Sequence, residues 1–294
     1  MSEPLPDGMS DTLSTTPLID AAELAGLIDD DGVRVVDCRF VLPEPEAGRR
    51  AYAGGHLPNA VYAHLDEDLA GPVTPQTGRH PLPDPDRFAA RLGAWGIRPD
   101  TLVVAYDDAS GALASRLWWL LGWVGHRRRR VLDGGIEAWL AADGPLTTES
   151  PRPARTTDYP VRPEPERVAD TPAVIEALAA GLPVIDARAR ERFLGRREPI
   201  DPVAGHIPGS LNHPFSASLD GQGHLLPAAE LASRLGGVGI GKASGSVSLC
   251  GSGVTACHII LAAAVAGLPE PRLYPGSWSE WIRDPDRPVA AGDG

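Results

Sequence analysis

The chain is written twice, and that duplication limits what it can fold into more than any single motif does. Val35-Val36-Asp37-Cys38-Arg39 recurs as Val184-Ile185-Asp186-Ala187-Arg188, and Gly55-His56-Leu57-Pro58 as Gly205-His206-Ile207-Pro208. Leu102–Asp107 matches Ser246–Cys250, each an apolar run ending at the same place in its copy. Leu132-Asp133-Gly134-Gly135-Ile136-Glu137-Ala138-Trp139 matches Tyr274-Pro275-Gly276-Ser277-Trp278-Ser279-Glu280-Trp281. Four blocks in one order at nearly constant spacing describe a duplicated domain. At 294 residues the chain can give each copy its own core. Between the copies, prolines 151, 153, 160, 163 and 165 suit an extended, stiff linker. The division is therefore a disordered tail over 1–16, a first domain over 17–147, a linker over 148–167 and a second domain over 168–290.

Within each copy, short apolar runs alternate with helical patterns. Val33–Val36, Leu102–Ala105, Arg130–Leu132, Val184–Ile185 and Val247–Leu249 read as strands. Pro85–Trp95, Leu113–Val124 and the almost wholly apolar Thr255–Ala266 read as helices, the last one buried. Alternation of this kind predicts an α/β fold, each copy a mostly parallel sheet with helices on both faces. Ligands of such sheets sit at the carboxyl ends of the strands.

Charge and cysteine usage narrow the function classes. The formal net charge of -12 argues against a nucleic-acid partner. Arg127-Arg128-Arg129-Arg130 is the local exception and reads as a solvated turn. Three cysteines, Cys38, Cys250 and Cys257, form no disulfide framework and point to a reducing compartment. No stretch reaches the roughly 20 apolar residues of a membrane span. Met1–Thr16 lacks the pattern of a secretory signal, so the cytoplasm is the expected location.

Cys250-Gly251-Ser252-Gly253-Val254-Thr255-Ala256 carries the chemistry. It joins an apolar strand to an apolar helix. Two glycines let successive N–H groups turn inward, and the helix start favours an anion there. Ser252 and Thr255 add hydroxyl donors. A cysteine so placed is expected to be a nucleophilic thiolate, and the N–H groups of residues 251–255 would equally cradle a persulfide. Cys257, His258 and Cys38 read as core residues, since no further Cys/His cluster accompanies them. Gly251-x-Gly253-x-x-Ala256 imitates a dinucleotide fingerprint, but Leu273-Tyr274-Pro275-Gly276 lacks the acidic residue that motif needs.

With the loop and the paired Gly-His-[Leu/Ile]-Pro blocks in view, the chain resembles the two-domain rhodanese family over about 20–290, and within it the 3-mercaptopyruvate and thiosulfate sulfurtransferases. The resemblance implies a sulfane sulfur carried on Cys250, taken from a small anionic donor and passed to cyanide, a thiol or a thioredoxin-like protein, with no cofactor and no metal. It points to Arg192 for the donor's anionic end, and to Asp66 and His80 as first-domain residues facing the loop. The family's second substrate arginine falls at Asp201, with Arg196 and Arg197 as stand-ins. In the first copy Asp107 replaces the cysteine, which implies a structural domain. Recurrence of Asp37, Arg39, His56, Asp186, Arg188 and His206 in both copies marks them as fold-holding. Trp278 and Trp281 belong either to the pocket wall or to the core. Thiosulfate-preferring relatives carry basic residues just after the cysteine; Gly251-Ser252 is neutral, which favours the keto acid.

Two rivals come from other classes. A cysteine phosphatase on the same fold needs an arginine six residues after the cysteine, and position 256 is Ala. A non-catalytic sulfur carrier or scaffold is disfavoured by the presence of Cys250.

Overall fold

The computed structural model describes residues 16–152, 156, 158–241 and 245–292. The tail expected over 1–16 therefore lies, save for Thr16, outside the described residues, as does Pro153 of the linker. The first sheet holds β1 (Leu18–Ile19), β2 (Val33–Asp37), β3 (Val61–Tyr62), β4 (Leu102–Tyr106) and β5 (Arg129–Leu132) in the order β1-β5-β4-β2-β3. The second holds β6 (Val184–Asp186), β7 (Leu211–Asn212), β8 (Val247–Leu249) and β9 (Arg272–Leu273) in the order β7-β6-β8-β9. All named pairings are parallel. Val168 bridges Leu273 in parallel, the place that β1 takes beside β5, so the two sheets share one strand order.

The strands are apolar throughout because both faces are covered. Val36, Val103, Ala105 and Val131 point into one cluster with Leu117 and Trp119, while Val35, Leu102, Val104 and Leu132 point into another with Leu24, Ile136 and Trp139. That is the two-residue alternation of a strand buried on both sides. The helix Ala114–Trp123 is buried along its whole length, and Ala256–Val265 nearly so. These two pack together in one core cluster that draws residues from both copies. An all-apolar helix is what a position between two sheets requires, and burying each of Ile259, Ile260 and Leu261 contributes about 1.5–3 kcal/mol.

The recurring polar residues hold each copy in the same way. Arg39 and Arg188 each grip the carboxylate two residues before, Asp37 and Asp186, at 2.6 Å, and donate to Gly55 and Gly205 carbonyls at 2.7 Å. His56 and His206 stack on Tyr52 and Phe193, with ring centroids 3.9 and 3.8 Å apart. Trp278 and Trp281 are core residues of the second copy, their indole N–H groups donating to the Val203 and Pro288 carbonyls.

The reading of the arginine run as a solvated turn is overturned beyond Arg127, while the strand expected from Arg130 onward is present and begins one residue earlier. Arg129 and Arg130 lie in β5; Arg130 is buried against Glu23, and Arg129 covers the Trp118 ring at 4.7 Å. Only Arg127 is well exposed, pairing with Glu164. Alternation around an apolar strand end, with aliphatic stems able to line a core, explains the difference. The linker is docked on the first copy rather than spanning solvent: Tyr159 bonds His126 at 2.8 Å, and the N–H groups of Arg162 and Glu164 donate to Val124 and Trp123.

Candidate active site

Cys250 ends β8, and the turn that follows folds back over it. The N–H groups of Ser252 and Gly253 point at Sγ, at 3.5 and 3.2 Å; of the five expected to form the cradle, these two reach the sulfur. Thr255 sits at the N-cap of the next helix without a side-chain cap. Gly253 has φ +77°, and a Cβ there would lie 2.5 Å from the Pro275 carbonyl, so only glycine fits. The loop backbone is tied to the neighbouring helix Ser277–Trp281: Ser277 Oγ accepts from Cys250 N–H, and the Cys250 and Gly251 carbonyls accept from Trp278 and Ser279.

From below, the loop rests on Arg116, a fully buried guanidinium that donates to the carbonyl of Gly253 at 3.0 Å and to that of His80 at 3.1 Å. Arg116 thereby binds the loop of one copy to the facing segment of the other and places positive charge beneath the sulfur. Its signal in the sequence was a single charge inside Ala-Ser-Arg-Leu-Trp-Trp-Leu-Leu, an anomaly in an apolar helix.

Of Asp66 and His80, inferred only by resemblance, His80 reaches the loop itself and Asp66 meets it through His80. Asp66 Oδ1 lies 3.1 Å from His80 Nε2, and His80 Nδ1 lies 2.8 Å from Ser252 Oγ. A carboxylate can only accept, so Nε2 carries the ring proton and Nδ1 accepts from the serine hydroxyl. Burial pushes the His80 pKa down, with Asp66 opposing, so the ring is neutral near pH 7. The hydrogen bond to His80 holds Asp66 below the usual carboxylate range. This Asp66–His80–Ser252 chain can accept a proton at the serine oxygen and return it.

Arg192 also reaches the loop, and it is not alone. A Cβ on Gly251 would lie 2.8 Å from Nη2 of Arg79 and 3.5 and 3.6 Å from Nη2 and Nη1 of Arg192. Two guanidiniums thus converge beside the residue following Cys250. Arg79, directly before His80, was missed; its neighbour in sequence was the only available signal. Arg192 is held by Glu198 and by Asp201, whose second oxygen takes Arg79. Burial pushes Asp201 above the usual carboxylate range, with Arg79 opposing. Arg196 and Arg197 are exposed, and Arg196 turns to Glu191, so neither joins Arg192 beside Gly251; the second guanidinium there is Arg79, from the other copy.

The first copy builds the same cradle and fills it with its own anion. Asp107 Oδ1 accepts from Ala109 and Gly111 N–H, and Oδ2 from Leu113 and Ala114 N–H, at 2.7–2.9 Å. Cys257 and Cys38 are core thiols: burial pushes Cys257 up to about 12 and holds Cys38 well above the usual thiol range. Among the described residues, Glu46, His64 and Glu67 have the reach of a metal site. However, His64 Nδ1 accepts two backbone N–H groups, which leaves the proton on Nε2, and Arg49 bridges both carboxylates. That cluster is an ion-paired helix start.

A family model described as the rhodanese-like domain matches twice, over 20–142 and 171–284. The chain is 47% identical to a Pseudomonas aeruginosa protein named "Probable 3-mercaptopyruvate sulfurtransferase", covering 96% of this chain and 100% of the other. It is 34% identical to the thiosulfate sulfurtransferase of Bos taurus, covering 90% of each. The structure of 3-mercaptopyruvate sulfurtransferase from Leishmania major superposes with a TM-score of 0.81 at 32% identity, covering 92% of this chain and 75% of that one. The chain belongs to the rhodanese family, as a tandem α/β member. Its enzymatic class is sulfur transfer, from a sulfur donor to an acceptor. No helix among the described residues is long and apolar enough to cross a membrane.

Proposed function

We propose that the chain transfers sulfur through a persulfide on Cys250, with 3-mercaptopyruvate as the favoured donor and thiosulfate as the poorer one. One observation carries this reading: the thiol, two guanidiniums and a neutral histidine–serine relay converge on a single loop. Residues 168–290 act as the catalytic copy, and 17–147 as the copy that supplies Arg79, His80 and Asp66.

The donor's carboxylate lies against Arg79 and Arg192, and its carbonyl faces the Ser252 hydroxyl. The Cys250 thiolate attacks the donor sulfur. The carbon–sulfur bond breaks with its electron pair passing to carbon, so the enolate of pyruvate leaves. The donor thiol's proton passes to Ser252 as the serine's own proton moves to His80, and Asp66 stabilises the resulting imidazolium. The relay then returns a proton to the enolate carbon, giving pyruvate and an ionised persulfide held by the Ser252 and Gly253 N–H groups. Cyanide in an assay, or a thiol or thioredoxin-like protein in the cell, takes the sulfur and restores the thiolate. The sulfur is itself the passenger, so the cycle needs no metal or organic cofactor. Three free cysteines suit a cytoplasmic setting.

The test is pyruvate and thiocyanate release with each donor, beside intact mass of the donor-treated protein. One added sulfur on the wild type supports the reading; turnover without any sulfur on Cys250 overturns it.

A further inference from the structure

The family pattern places a second arginine at position 201, where this chain has an aspartate. The substitution changes the local charge by two units, and the structure shows what surrounds it. Asp201 lies between the two guanidiniums that converge on Gly251, one oxygen on Arg79 and the other 3.0 Å from Arg192 Nη2. Its side chain is 3% exposed, as is that of Glu198, which occupies the Nε edge of Arg192 at 3.0–3.1 Å. Glu198 is fixed in turn by the N–H groups of Ile200 and Asp201. Two positive and two negative side chains therefore cancel within the subsite. Yet Arg79 Nε is buried without a hydrogen-bond partner among the described residues, so the arginine is not fully satisfied by its carboxylate.

We infer that Asp201 sets the charge of the donor this enzyme accepts, admitting monoanions and discriminating against dianions; the inference rests on the sulfur-transfer reading above. A buried carboxylate repels whatever anion docks on the same guanidiniums, and it repels a dianion more. A keto-acid carboxylate brings one charge, which can lie against Arg79 Nη2 and Arg192 Nη1 while Asp201 keeps Arg79 Nη1 and Arg192 Nη2. Thiosulfate or sulfite brings two charges into a site whose net charge is already zero. Asp201 is thus a selectivity residue acting by charge, and its like-charge repulsion substitutes for the shape discrimination that a shallow loop cannot supply.

The experiment is Asp201→Asn in the full chain, with both donors and two non-reacting probes, sulfate as the dianion and pyruvate as the monoanion. Removing one close like charge should lower the thiosulfate KM by about tenfold or more, and tighten sulfate binding by a similar factor in calorimetry. The 3-mercaptopyruvate KM and the pyruvate affinity should change by less than about threefold, and Asp201→Glu should restore discrimination. The double variant Arg79→Gln/Asp201→Asn, which removes one charge of each sign, should bring the sulfate-to-pyruvate ratio back towards wild type. Parallel shifts for monoanion and dianion, or none, overturn the inference. If neither donor places sulfur on Cys250, the transfer reading fails, and the sulfate and pyruvate affinities still decide the role of Asp201.

Discussion

His80 Nδ1 lies 2.8 Å from Ser252 Oγ across 172 residues of chain and across the boundary between the two copies. The contact makes the site a joint product of both. The copy with Asp107 at the strand end supplies the imidazole; the copy with Cys250 there supplies the hydroxyl. Arg116 fastens the two by donating to the carbonyls of both Gly253 and His80.

His80→Ala should therefore lower kcat for 3-mercaptopyruvate by roughly a hundredfold, the scale of a positioned general base, with little change in KM. The pH profile adds a sign. Burial depresses the His80 pKa, so the neutral, proton-accepting ring persists to below the ordinary histidine value. The wild-type rate should fall on the acid side of pH 6.5 and lose that limb in the variant. A limb unchanged by His80→Ala would remove the ring from the relay.

Cys250→Ser should abolish transfer and leave the fold intact, since a hydroxyl cannot hold a sulfane sulfur. Intact mass after donor treatment should show one sulfur on the wild type and none on the variant. Cys38→Ala and Cys257→Ala should keep most activity, because burial raises both thiols far from the reactive range.

Much of this was legible beforehand, for physical reasons that differ by residue. Strands such as Val247–Leu249 and the helix after Cys250 are coded by apolar runs that only a doubly covered sheet can bury. The cradle is coded by glycines at 251 and 253, whose missing Cβ atoms make room for Arg79 and the Pro275 carbonyl. Arg79 and Asp201 were not legible as a pair, because 122 residues separate them and no local pattern records a charge exchanged across an interface. The burial of Arg129 and Arg130 was not legible, because a run of charges says nothing about which face of a strand each stem follows.

His258 couples the copies through a group the chemistry does not use. Its Nε2 bonds the Ser110 carbonyl at 3.1 Å, its ring meets Phe215 edge-on, and burial pushes its pKa down to about 4. The unfolded chain takes up a proton as pH falls through 6.5; the folded chain does not until about 4. Stability is thus lost on acidification within that window, by about 2 kcal/mol at pH 5 relative to pH 7 from this group. His80, His126 and His213 are depressed too and add to the slope. Urea midpoints of His258→Asn at both pH values isolate the share of His258: the variant should be less stable at pH 7 and show a shallower loss at pH 5.

Arg79 and Arg192 offer the sharpest test of the donor site, because they come from different copies yet share Asp201. Each charge-assisted contact to a carboxylate is worth about 1.5–3 kcal/mol, so Arg192→Ala should reduce kcat/KM for 3-mercaptopyruvate by roughly ten- to a hundredfold. Arg79→Ala should cost a similar factor, mostly in KM, since in the proposed pose the guanidinium binds the donor without touching the transferred sulfur. The two losses should not add. With either arginine gone, Asp201 falls wholly on the one that remains and withdraws it from the donor, so the first substitution already weakens the second site. The double variant should therefore lose less than the product of the single losses, by a coupling within the range of about 0.5–3 kcal/mol seen for residues in one network. Strict additivity in steady-state kinetics would mean that the arginines act on separate parts of the donor, and that a shared carboxylate subsite is the wrong description.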